Sequence, residues 1–131
     1  MAHLTDLTDA EIWTQLESGA LARIAWTASS GPQILPVNFV THDGAVWLRT
    51  TAHSSMADQI DESPVAIEID DIDPATHVGW SIVVHGRAEA IYHESDVPEE
   101  VTSLRAWAGD HRPLWIRVSA DTVTGKRLTS Q

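Results

Sequence analysis

The sequence predicts a mainly β protein, an antiparallel barrel or sandwich of six strands with a few short helices. Three observations predict it. Apolar and polar residues alternate with a period of two through several stretches. The clearest is residues 80–92, where Trp80, Ile82, Val84, Ala88 and Ala90 alternate with Ser81, His85, Arg87 and Glu89. Several joins between these stretches are short and hold Gly, Pro, Ser or Asp, as hairpin turns require. Helical periodicity is confined to three short segments, so the strands are left to pair with one another.

Taken in order, Thr8-Asp9-Ala10-Glu11 matches a capping box, with Ile12 and Leu16 on one helical face and Gly19 as the stop. From Leu21 the period becomes two: Ala22, Ile24, Trp26 and Ala28 alternate with Arg23 and Thr27 in a first strand. Ser29-Ser30-Gly31-Pro32 is a turn. Residues 33–41 form a second strand, His42-Asp43-Gly44 a hairpin turn, and residues 45–51 a third strand. Residues 54–60 read as a short helix. Val65, Ile67 and Ile69 mark a fourth strand over 64–70, and the alternating stretch 80–92 is the fifth. Residues 95–107 read as a helix with Val97, Val101, Leu104 and Ala108 on one stripe. Leu114, Ile116, Val118 and Ala120 mark the sixth strand.

The length of 131 residues fits one domain, residues 1–131, with one core. Eight Lys and Arg stand against 19 Asp and Glu, a net charge of −11, which opposes general binding to nucleic acid. No apolar run approaches the ~20 residues that span a bilayer, so no membrane partner is expected. The first 17 residues hold no basic side chain, unlike a signal peptide, and there are no cysteines. A cytoplasmic protein is expected. Six tryptophans are many for this length and suit interfaces or ligand surfaces as well as packing.

Most candidate sites resolve into ordinary surface. In Glu68-Ile69-Asp70-Asp71-Ile72-Asp73 the acids alternate with apolar residues, as solvent-facing strand positions do, and the spacing is not that of an EF-hand. The seven histidines are scattered without ligand spacing, so no metal site is expected. Ser54 and Ser55 lack a nucleophile-elbow context, and no side chain can be named as an obligatory acid or base. Two places are different. Pro36 falls mid-strand and cannot donate to a ladder, so it needs an edge, a bulge or a gap; a plain edge strand and a gap facing a ligand both satisfy it. In "LRTTAHSSM" (residues 48–56) Arg49 can grip a phosphate bidentately. Thr50, Ser54 and Ser55 add hydroxyls, and a helix start adds free N–H groups. The residues alone read more readily as a hydroxyl-capped strand-to-helix turn, which is a common arrangement.

The order of motifs carries a resemblance. "GALARIAW" (19–26), "LPVNFV" (35–40), "VWLRTT" (46–51), "PVAIEIDDID" (64–73), "GWSIVVHGRAEAI" (79–91) and "WIRVSADTVTGKRL" (115–128) span nearly the whole chain. Together they resemble the pyridoxamine 5′-phosphate oxidase-like family of flavin-binding split β-barrels, with "GWSIVVHGRAEAI" close to its actinobacterial-type branch. The resemblance implies a six-stranded split barrel, a homodimer holding two FMN molecules at its interface, and an FMN-dependent oxidoreductase acting on a small molecule. It places Pro36, Val37 and Asn38 along the flavin ring, and Arg49 and Thr50 near the ring and the ribityl–phosphate region. Ser54, Ser55 and Met56 fall at the phosphate grip, and Trp80 and Ser81 near the ring's polar edge. Many relatives carry Lys or Arg in the stretch aligned with Ser55 and Met56, whereas here no cation occurs between Arg49 and Arg87; Arg23, Arg87 or a residue of the partner subunit would have to compensate. The chain lacks the further C-terminal substrate segments of the oxidase that makes pyridoxal phosphate, so that activity is not expected. A deazaflavin-dependent reductase is the alternative, disfavoured because an acidic coenzyme tail seeks basic residues. The other alternative is a non-enzymatic cofactor-binding module.

Overall fold

A computed structural model describes residues 2–51, 55–102 and 113–130. In chain order the elements are β1 (Ala2–Asp6), α1 (Asp9–Ser18), β2 (Leu21–Ala28), β3 (Gly31–His42), β4 (Ala45–Thr51), α2 (Ser55–Ile60), β5 (Ser63–Ile72), β6 (Gly79–Ile91) and β7 (Pro113–Ser130). All strand pairings are antiparallel. Strands β7–β4–β3–β2–β5–β6 run in sequence, and β6 pairs back onto β7 to close a ring. β1 lies outside that ring along Lys126–Ser130. This is the split barrel expected, with one strand more than periodicity gave.

The ring is not evenly sewn. β6 pairs along its whole length with β7 and over 79–88 with β5. β2 meets β5 only over Arg23–Ala25, and β3 meets β4 only from Phe39↔Leu48 to His42↔Ala45. Residues 31–38 therefore pair with β2 alone among the described strands, and that is where the barrel is split.

The interior is filled from every strand of the ring. Ile24, Phe39, Leu48, Ile67, Ile82 and Ile116 are all but inaccessible to solvent. Helix α1 caps this core with Ile12 and Leu16. Its capping box forms as expected: the Glu11 N–H donates to Thr8 Oγ1, and the Thr8 N–H donates to Glu11 Oε1. These bonds, with Arg127 Nη2 at 2.9 Å from Glu11 Oε2, hold the Glu11 carboxyl below the usual range. A second apolar cluster lies on the outer face, where Val97 and Val101 cover Trp47 and Trp115.

Two expectations need correction. Residues 95–107 were expected to be helical. A single 3-10 turn, Glu94–Asp96, is followed by turns through residue 102, and 103–112 lie outside the described residues. Pro98 explains the break: a residue before proline is driven to extended backbone, and Val97 has φ −99° and ψ 126°. The last strand also runs past the expected series, to Ser130, and a bulge just after Ala120 shifts the phase of its alternation: His85 faces Thr122 while Gly86 faces Ala120. Gly86 suits that close join, since a Cβ there would lie 2.1 Å from the Ser119 carbonyl oxygen. No helix among the described residues is long and apolar enough to cross a membrane.

Candidate functional site

The split is the candidate site. The last pair of the β3–β4 ladder is Phe39↔Leu48, so Asn38 and Arg49 are the first residues of two diverging strands. Pro36, Val37 and Asn38 make one lip of the opening, and Arg49 and Thr50 the other. The Phe39 N–H donates to the Ala20 carbonyl on the β2 side at 3.1 Å. In an antiparallel ladder the backbone groups of successive residues alternate between the two edges. Those of Asn38 and Pro36 therefore face the opening. The missing N–H of Pro36 costs the β2–β3 ladder nothing, and β4 has already departed. Over residues 31–38, β3 is paired on one side only among the described strands, which meets the need of a mid-strand proline whether or not a ligand lies there.

Alternation along β4 sends Val46 and Leu48 into the barrel and Ala45 and Trp47 outward. Arg49 continues the outward series and Thr50 the inward one. The guanidinium of Arg49 lies over the ring of Trp115, its cross-strand partner, with Cζ 5.5 Å from the centroid. One step along the same strands the pattern is reversed: Arg117 of β7 lies over Trp47 of β4 at 5.9 Å, and also bonds Glu89. Two W-x-R stretches, Trp47-Leu48-Arg49 and Trp115-Ile116-Arg117, thus run antiparallel so that each arginine meets the other strand's indole. The repeated W-x-R is the sequence signal that marks Trp115.

The remaining expected residues divide. Ser54 lies outside the described residues, and Ser55 opens α2. Met56 is buried in the main core, so it can offer a ligand only its backbone. Trp80 packs its indole against the core edge. Ser81 pairs with Asp70 on β5 and with Lys126 on β7, far along β7 from Trp115, the cross-strand partner of Arg49. It is nearer the other lip, because Pro36 is in register with Arg23, and Arg23 with Glu68. Arg23 Nη1 is 3.4 Å from Glu68 Oε1 and 3.7 Å from Asp70 Oδ2. The Glu68 carboxyl is pushed up to about 7, first by burial and then by hydrogen bonding to and repulsion from Asp70; Arg23 opposes this without overcoming it. Arg87, the other cation considered, pairs with Pro64 and Ser119 far along β6. Two shallow clefts of about 410 and 400 Å³ flank α1 and the second half of β7 and contain none of the expected residues. No cluster of metal-ligating side chains occurs among the described residues.

A ring of antiparallel strands whose β3–β4 pairing stops at Phe39↔Leu48 defines a split β-barrel. The chain belongs to the pyridoxamine 5′-phosphate oxidase family, whose model matches residues 8–127. It is 30% identical over 113 residues to an uncharacterised protein of Mycobacterium tuberculosis, covering 82% of this chain and 74% of that one. Among solved structures it is similar to an FAD-binding protein of Mycobacterium smegmatis: TM-score 0.78, 30% identity, 95% of this chain and 99% of that one. An FAD-binding protein of Mesorhizobium loti shares the fold at TM-score 0.80 and 15% identity, over 99% of this chain and 100% of that one.

Proposed function

We propose that this protein binds a flavin, FMN, at the opening between β3 and β4, and that it serves as a flavin-dependent oxidoreductase acting on a small molecule. The observation that carries the reading is the juxtaposition of Pro36–Asn38 and Arg49–Thr50 on the two lips of one split. The donor set fits the group. Arg49 offers a planar, permanently charged fork to a phosphate. Thr50 adds a hydroxyl, and the backbone of Asn38 offers the polar edge that a flat heterocycle needs. When bound, the isoalloxazine supplies the redox chemistry, while this chain's residues bind and orient it. FAD is the second reading, favoured by the similar Mycobacterium smegmatis protein, which is FAD-binding.

The reading includes a homodimer. Support comes from exposed apolar side chains beside the split: Ile34 is 64% exposed, Leu35 44% and Leu21 42%. Such residues on adjacent strands are what a partner subunit would cover.

Absorbance of the purified protein and titration of the apo-protein with FMN and FAD test the reading. A flavin spectrum and saturable binding are expected, with Arg49→Ala weakening FMN by about 2 kcal/mol, roughly thirtyfold. A deazaflavin band would support the alternative coenzyme. Binding of neither flavin would overturn the proposal.

A further inference from the structure

Arg49 is a long side chain at the rim of an opening, and its usefulness to an anion depends on where its guanidinium is held. An unrestrained arginine loses rotamer entropy when it is fixed. Here the guanidinium already lies over an indole. That indole is itself buried: Trp115 is only 4% exposed and packs in the outer-face cluster with Val97 and Val101. The guanidinium Cζ is 5.5 Å from the indole centroid, and a cation held over a ring has N–H donors that lie outside that contact.

We propose that Trp115 is a positioning residue for the anion end of the flavin site, acting through Arg49 and not by touching the ligand. The inference rests on the flavin reading above. It adds that affinity is set partly by a residue of β7, one strand removed from the split. The reciprocal pair supplies an internal control. Trp47 belongs to the same apolar cluster and stacks with Arg117, whose charge is already bound to Glu89 on the side of β7 away from β4. Removing the Trp47 indole disturbs the cluster without releasing Arg49 from its ring.

The test is a double-mutant cycle read by FMN titration of the full chain, with folding checked by circular dichroism. Trp115→Leu is expected to weaken FMN binding about five- to tenfold, in keeping with a partly desolvated cation–π contact. In the Arg49→Ala background the same change is expected to alter affinity by less than about twofold, because the group it positions is gone. Trp115→Phe keeps a ring and should lose less than about threefold; it carries the cycle should the leucine variant fail to fold. Trp47→Leu should stay within about twofold of the parent. An equal loss from the Trp115 substitution in both backgrounds, or a loss from Trp47→Leu as large as that from Trp115→Leu, overturns the inference and leaves the flavin reading standing. A parent protein that binds no flavin overturns both, and the first titration alone reveals it.

Discussion

Glu68 should make the protein lose stability as pH rises through neutrality. Its folded carboxyl titrates at about 7 against an ordinary value of 4.5, so the folded chain holds this proton more tightly than the unfolded chain does. The stabilising contribution of the protonated form is complete below pH 4.5 and is lost as pH climbs to about 7. At full strength the difference between those two values corresponds to about 3.4 kcal/mol. The side chain is one-third exposed, however, and water screens both the burial cost and the repulsion by Asp70, so about 1 kcal/mol is the working magnitude. Glu68→Gln removes the titration while leaving an amide that can still donate to Asp70. The variant should melt about 3 °C above the parent at pH 8, and the two should converge near pH 5. The assay is a pair of thermal melts across pH 5–8 at fixed ionic strength, read as the difference between the two proteins so that other titrating groups cancel. A difference that does not change with pH, or one that grows toward acid, would refute the account of the Arg23–Glu68–Asp70 group.

Gly86→Ala should lower stability by about 2–3 kcal/mol, because the new methyl meets the Ser119 carbonyl at 2.1 Å and neither strand can yield without breaking the bulge; a urea midpoint measures it. Thr8→Ala should cost about 1 kcal/mol by unmaking the capping box, seen as a melting point about 3 °C lower. The proposed dimer needs at least about 1,200 Å² of buried surface. Light scattering should give twice the 14.3 kDa chain mass for the parent and the single chain mass for Ile34→Lys.

Much of this was legible in the residues because local signals and tertiary demands agree. The capping box at Thr8 and Glu11 is self-contained, so both of its bonds are readable from four letters. β4 keeps its expected limits because Ala45, Val46, Trp47 and Leu48 are buried alternately on two sides. β1 was missed for the opposite reason: His3, Leu4, Thr5 and Asp6 are all exposed, so no buried apolar face marks the strand, and β7 is its one partner among the described strands. The second half of β7 was hidden by arithmetic. The even-numbered residues 114–120 carry the first inward series, but after Asp121 bulges out, Val123 and Gly125 carry it on odd numbers, so the alternation seems to stop where it only changes phase. At the site, the lips of the split could be placed by the mid-strand proline and by the resemblance. The two arginine–tryptophan stacks could not, because cross-strand register decides which arginine meets which indole.

β7 has a consequence for synthesis. It closes the ring by pairing with both β4 and β6, and it is the only described partner of β1. A nascent chain that has reached residue 112 therefore holds two open sheet edges and an uncovered barrel interior, together with an N-terminal strand that has nowhere to dock. Its contacts between residues 2–6 and 126–130 are also among the most distant in sequence that the fold contains, and such contacts form late. Until β7 arrives, those edges are open to any other extended chain, and the cell's holding chaperones have a defined window in which to cover them.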